Sequence, residues 1–580
     1  MEVRLPVRAP PPAPAIILTM SSPATRLPLA GAAFLALADT AIVALALPPI
    51  LLELDTDVAG VAAVLGVYAV VLAAALPAAE ALRAHLGTRA VGLAGVALFT
   101  GGSLPCGLAD SLEPLLAARA VQALGGAGLL VTAYRVLSDG GGAELWRLAA
   151  LLGTAAGPAI GGALTQGLGW RSIFLFQAPA ALVALPGCLA APEAPPAGQE
   201  RRRRSGRRFT VARTVALALL SGAITAALFL TVLLLISGWG LEPLTAALAV
   251  STMPLAALAA TRVSGPAGAR AAGGALIVAA GTAALAFVPT ASVAWTIPPQ
   301  IAVGVGMGLA LPALAGELLP ERSGRQAAWL LSVRQLGIAL ALLVLAPIAQ
   351  HELDTTLDDT RERGAAVILD APIDPRVKID VAPRLAESVE TEDPRGGLEE
   401  VFAQGRDEVD EDELEAYDDL AARADEVLVR GVNDGFSTAF LVGGAFALLA
   451  AGLLLPAALG ARAEAGQFRL APAALGLAVA ALAAAALLAG YVLAADARRP
   501  EQVAIADPCD DRERPGSGGV TGFLQDAALV AVDRVACEAG SSREELVLAF
   551  VDDQAAEEYE RRYDVDPRSV LELVEVALPG

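Results

Sequence analysis

Asp39 is the only carboxylate in a long apolar stretch near the start of the chain, and Arg119 and Gln122 stand three residues apart inside another. A carboxylate surrounded by low dielectric can take up and release a proton during a cycle. An arginine at mid-membrane costs roughly 2.5–3.5 kcal/mol on insertion scales, so it faces a cavity or a partner. Arg119 is therefore placed to sense the protonation state of a nearby carboxylate, with Gln122 on the same helix face in support. Two plainer readings compete with this one. The Asp and Arg could form a permanent structural pair, or the Arg could snorkel to a headgroup. Arg334, inside a later apolar run, is a further candidate for proton coupling and transport. Glu317, at the end of a run, reads as an interfacial charge.

A second pattern is mechanical. Gly153-Thr-Ala-Ala-Gly157-Pro158-Ala-Ile-Gly161-Gly162 is dense in small residues, which lets helices approach closely, and Pro158 bends the run. Trp170 and Arg171 open the next run, with Trp170 expected as an outer interfacial anchor. Other chemistries are missing. The two histidines, His85 and His351, are far apart, and Lys378 is the only lysine, so there is no phosphate-cradling glycine loop with its lysine. The chain is expected not to be an enzyme, to hold no metal or cofactor, to bind no nucleic acid, and to draw energy from an ion gradient.

The elements that carry these residues follow from length. Thirteen apolar runs are expected to span a bilayer, at about 28–50, 58–79, 90–109, 113–133, 146–168, 171–190, 212–236, 243–261, 271–289, 294–318, 326–349, 436–459 and 470–495. Each run matches the roughly 30 Å hydrocarbon thickness at 1.5 Å rise per residue. Mean hydropathy is +0.59. Loops on one side carry Arg83 and Arg89, Arg135 and Arg147, Arg201–Arg208, Arg262 and Arg270, Arg322 and Arg325, Arg462 and Arg469. Loops on the other carry Glu53, Asp55 and Asp57, Asp110 and Glu113, or Glu242, with Arg171 as the exception. The positive-inside rule puts the first set and the N-terminus in the cytoplasm of a plasma-membrane protein.

The net charge of −21 describes neither the membrane part nor the rest. Residues 352–435 hold 26 acids against 9 bases, and 496–580 hold 20 against 9, which leaves a net +7 elsewhere. The expected organisation is a disordered leader at 1–27, a six-helix bundle at 28–190, a basic cytoplasmic loop at 191–211, a second bundle at 212–350 and 436–460, an acidic extracytoplasmic insert at 351–435, a thirteenth helix at 470–495, and an extracytoplasmic tail at 496–580. The basic cluster also reads as a site for anionic lipid, with an ordinary orienting loop as the plainer account. Gly87-Thr-Arg-Ala-Val-Gly92 and Gly268-Ala-Arg-Ala-Ala-Gly273, six spans apart, hint at two related halves. The tail reads helical, with a capping box in Ser541–Glu545, and Cys509 and Cys537 are disulfide candidates because the tail is predicted outside. The insert reads as a charged helical hairpin or a disordered spacer, able to collect cations.

Together, Leu37-Ala-Asp39 through Pro48, Arg119/Gln122/Gly125, Gly157-Pro158-Ala-Ile-Gly161-Gly162 and Trp170-Arg171-Ser-Ile-Phe174 resemble the major facilitator superfamily, most of all its drug:proton antiporter branch that often has fourteen helices. The resemblance implies an all-α polytopic membrane protein of two six-helix bundles, to which this chain adds a thirteenth helix and small outer helical modules. It implies proton-coupled export of small amphipathic or cationic compounds, with protons and a small molecule as partners in a lipid-embedded monomer. Alternatives are a non-transporting scaffold or receptor with an extracytoplasmic protein partner, and an exporter of lipid or cell-envelope precursors. The chain departs from the family at the loop after span two. There the family's Asp position is Ala84 and its first Gly is Glu80, so the relay that latches the halves is expected to be altered. The family's Asn positions in spans one and six are Ala44 and Gln177.

Overall fold

Apolar runs of bilayer length sit in a solvent that offers backbone groups no hydrogen bonds, so each run satisfies its own as a helix. The computed structural model describes residues 23–139, 142–191, 211–319, 323–378, 381, 384, 394–406, 409, 411, 413–459, 472–510, 512, 515, 519–551 and 553–567, and among them it has helices and no strand. The helices, with broken ones taken as one, are α1 (Pro23–Ala44, then Leu47–Glu53), α2 (Val58–Leu86), α3 (Thr88–Cys106), α4 (Leu112–Asp139), α5 (Ala143–Leu168), α6 (Arg171–Leu182, then Leu185–Leu189), α7 (Val211–Leu233, then a π turn Leu234–Gly238), α8 (Pro243–Val250, then Thr252–Ala260), α9 (Ala267–Ala284), α10 (Val293–Leu311, then a π turn Pro312–Leu318) and α11 (Gly324–Asp370). They continue with α12 (Pro394–Gly405), α13 (Leu414–Leu459), α14 (Pro472–Asp496), α15 (Gly519–Ala539), α16 (Arg543–Val551) and α17 (Asp553–Tyr563).

Helices thus occupy all thirteen expected span positions, as α1–α11, α13 and α14. Eleven of them are long and apolar enough to cross a membrane, and α3 and α5 fall outside that set. Both are nonetheless packed into the bundle, α3 on α4 and α5 on α1. Helix α14 is different. Only 17% of its apolar window is buried, and it lies against α9, where Ala480 meets Gly273. Of the expected leader, residues 23–27 are described and form the first turn of α1; the rest lies outside the described residues. So does the basic loop between 192 and 210.

Two boundaries move. The bundle and the acidic insert are not separated at residue 350, because α11 runs 47 residues without a break, and α13 runs 46. At 1.5 Å per residue each is about 70 Å long, so each projects well beyond a bilayer. The i,i+3 and i,i+4 pairs Arg361–Asp358 and Arg363–Asp359 carry α11 through its charged part. The tail is built on the same mast. Arg543 pairs with Asp370 at 2.7 Å, Ser542 donates to Glu362, and Arg499 pairs with Asp434 at 2.8 Å. Cys509 and Cys537 form a disulfide, and Ser542 caps α16 by accepting from the Glu545 amide at 3.0 Å. Val532, Ala536, Leu546, Ala549 and Tyr559 form a separate small core for the tail.

The cores of the membrane part are unequal at its two ends. At the acidic end (Glu53, Asp110, Glu242), one continuous core joins both halves, with Ile50, Trp170 and Phe174 beside Phe229, Trp239 and Val250. At the basic end (Arg83, Arg270, Arg325), two cores remain. One belongs to the first half and takes only Ala328 and Leu331 from α11; the other belongs to the second half and takes Leu477 from α14.

Candidate functional site

The first six helices converge on a closed ring of polar side chains. Arg119 on α4 donates from Nη1 and Nη2 to the two oxygens of Asp39 on α1, at 2.9 and 2.7 Å. The same Nη1 donates to Gln122 Oε1 at 2.6 Å. Gln122 Nε2 donates to Gln177 Oε1 on α6 at 2.6 Å, and Gln177 Nε2 returns to Asp39 Oδ1 at 3.2 Å. Arg119 Nε donates to the Val64 carbonyl of α2 at 3.2 Å, and Ser103 of α3 accepts from Gln122 at 2.8 Å. Tyr68 and Phe174 cover the guanidinium with ring centroids 4.3 and 5.5 Å away. Asp39, Arg119, Gln122 and Ser103 have no exposed surface.

The fork of Arg119 matches the carboxylate in both position and charge, the strongest form of such a pair. The ring contains one acid and one base and is neutral as built. Arg119 keeps its charge, since a guanidinium holds its proton. Gln177, Ser103 and Tyr68 are site members that sequence reasoning missed. Gln177 had been noted only as a departure, yet it closes the ring. The signal for Ser103 and Tyr68 was a lone polar group in an apolar run, which is a weak one in membranes.

The glycine-rich helix lies behind Asp39. Gly153, Gly157 and Gly161 line one face of α5 against α1, and a Cβ on Gly161 would come 2.3 Å from the Ile42 carbonyl oxygen. Gly162 faces the other half, where a Cβ would come 2.3 Å from Ala247 on α8. Just beyond, Gln166 donates to Glu242 at 2.8 Å and accepts from the Leu244 amide at 2.9 Å. Pro158 lines the cavity described below.

Trp170 is buried and does not face lipid as an anchor would; its indole donates to Glu53. Arg171 pairs with Glu53, lies near Asp110 at 3.7 Å and donates to the Ala109 carbonyl at 3.0 Å. Arg171, the exception among the short loops of the acidic end, is thereby paired. Glu317 is held by Arg270. At the basic end Glu80, the residue that departs from the family loop, makes a two-point pair with Arg83 at 2.8 Å. Its carboxylate lies against the start of α11, so close that a Cβ on Gly324 would come 2.6 Å from it. A negative charge at a helix N-terminus is stabilised there. The first half therefore keeps an acidic contact to the second, from another position.

Between the halves is a small cavity of about 60 Å³. Thr40, next to Asp39 in the chain, lines it, as do Ser221, Met253, Met307 and Arg334. Arg334 thus stands apart from the ring and across the cavity from its helix.

The family model for the Major Facilitator Superfamily matches residues 29–342. The multidrug resistance protein Stp of Mycobacterium tuberculosis (strain CDC 1551 / Oshkosh) is 36% identical over 154 residues, 25% of this chain and 29% of that protein. The drug efflux pump JefA of the same strain is 33% identical over 154 residues, 25% of this chain and 30% of that protein. The putative multidrug resistance protein MdtD of Pectobacterium carotovorum subsp. carotovorum (strain PC1) is 33% identical over 157 residues, covering 26% and 34%. The matches thus span about a third of the length of these relatives. A solved structure of a bacterial homolog to the human lysosomal transporter Spinster, titled inward-facing and occupied, superposes with a TM-score of 0.52 at 17% identity, over 74% of this chain and 95% of that one. It speaks to the fold alone.

Proposed function

The chain belongs to the Major Facilitator Superfamily, and on that premise we propose that it is a proton-coupled exporter of small amphipathic compounds, working by alternating access. The observation that carries this reading is the buried Asp39–Arg119–Gln122–Gln177 ring beside the cavity between the halves. Asp39 is the proton carrier. When it is protonated, its claim on Arg119 weakens, and Gln122 and the Val64 carbonyl hold the freed guanidinium. The unequal cores support a rocking motion: the acidic end is sealed across both halves and the basic end is not. Gly162 and Gln166 belong to the seal at the acidic end.

The charge distribution of the loops favours the basic end in the cytoplasm of a plasma-membrane protein, with the N-terminus inside and the tail outside. The relatives named for multidrug resistance and drug efflux make export the favoured direction. The test is dye flux from proteoliposomes holding the full chain under an imposed proton gradient. Gradient-dependent flux that vanishes with a protonophore is expected. A broad panel of amphipathic dyes with no such flux overturns the proposal.

A further inference from the structure

The inter-half cavity carries a charge that nothing on the protein answers. Arg334 lines it, and among the described residues Arg334 has neither a hydrogen bond nor an ion pair. Asp39, the acid nearest in the chain to a lining residue, has both oxygens committed to Arg119. Two more lining atoms also lack partners: the Gln335 side-chain oxygen and the Ser221 hydroxyl, on residues at least nine-tenths buried. Thr40 and Thr225 add hydroxyls, and the rest of the wall is apolar.

A guanidinium cannot relieve burial by losing its proton. Arg334 is part-buried, so water meets some of its charge, and a bound anion would replace that water with a charge-assisted contact against the apolar wall. Its planar fork suits a carboxylate, sulfonate or phosphate group in two-point contact, while the Ser and Thr hydroxyls can donate to the remaining oxygens. We infer that the transported compounds are organic anions, with one acidic group on Arg334 and an apolar body against the Met and Leu wall. This rests on the transport reading above and narrows it. Resemblance alone pointed to amphipathic or cationic compounds, whereas the sign of the lining favours the anion and repels the cation.

The test uses two xanthene dyes of similar shape and opposite charge, carboxyfluorescein and rhodamine 123, and the full chain in neutral detergent. Fluorescence polarisation is expected to show tighter binding of carboxyfluorescein. Arg334→Gln should weaken it at least about tenfold, the scale of a lost charge-assisted contact, without weakening rhodamine 123. Arg334→Lys keeps the charge and loses the fork, so it should fall between. It also guards against a Gln variant that fails to fold, which gel filtration detects. Tighter binding of rhodamine 123, or no difference between the dyes that depends on Arg334, overturns the inference. The two proposals fail separately. Arg334-dependent dye binding without gradient-driven flux refutes the transport reading, and gradient-driven flux of rhodamine 123 with none of carboxyfluorescein refutes this one.

Discussion

Asp39→Asn is nearly isosteric and Arg119→Gln shortens the side chain, and their consequences are unequal. Asp39→Asn leaves Arg119 charged, fully buried, and stripped of both contacts at 2.7 and 2.9 Å. An uncompensated buried charge costs about 3–5 kcal/mol. Arg119→Gln leaves Asp39, which escapes the same penalty by taking up a proton, so the loss is nearer that of the hydrogen bonds, about 1–3 kcal/mol. The double variant removes both charges and leaves amides that can still bond around the ring; replacing a buried pair wholesale is often neutral. The thermal midpoints in detergent should therefore rank wild type and double variant together, then Arg119→Gln, then Asp39→Asn. With the double variant near wild type and single losses of about 3–5 and 1–3 kcal/mol, the double-mutant cycle should give a coupling of about 4–8 kcal/mol in magnitude, where additive sites give none. All three variants should lose proton-driven flux, including the stable double. That separation distinguishes a proton carrier from structural glue. Wild-type flux in the double variant removes Asp39 from the mechanism, and additive destabilisation refutes the charge argument.

Two other outcomes are expected. Gly162→Leu puts side-chain atoms into Ala247 and the Pro243 carbonyl, so a disulfide engineered between positions 166 and 242 should form in lower yield and flux should fall; overpacking of this kind costs about 1–3 kcal/mol. Unchanged cross-linking would show that this contact does not seal the acidic end. At the outer mast, burial pushes the Glu362 carboxyl above its usual 4.5, helped by Glu545, Glu544 and Asp359 and opposed by the Ser542 hydroxyl. A raised carboxyl binds its proton more tightly in the docked state, so docking is strongest below the ordinary value and weakens as pH rises through the raised one. Hydrogen exchange in α16 should therefore slow as pH falls through the raised value toward 4.5, after correction for the intrinsic rate, and Glu362→Gln should remove that extra slowing. The same slowing in Glu362→Gln would assign it to another group.

The membrane-embedded character of this chain was legible from residue types alone, because bilayer thickness fixes the length of an apolar helix and few sequences of another class repeat that length. Asp39, Arg119 and Arg334 stood out for the same reason: charge in such runs is rare. The i,i+3 spacing of Arg119 and Gln122 even put them on one face. What no local pattern could supply was the partner set. Asp39, Arg119 and Gln177 lie 80 and 138 positions from one another in pairs, and only the packing of α1, α4 and α6 closes their ring. Composition changes at residue 351, where the insert was expected to begin, but helix continuity depends on backbone bonds and on side-chain pairs that tolerate charge, so α11 runs through that position. Glu80 looked like a lost function at its position in the loop. Its contact with α11 became visible only with the halves assembled. The sign of the cavity is likewise tertiary. Arg119 and Arg334 are the same residue type in similar apolar surroundings, but folding gives one a carboxylate and leaves the other facing open space.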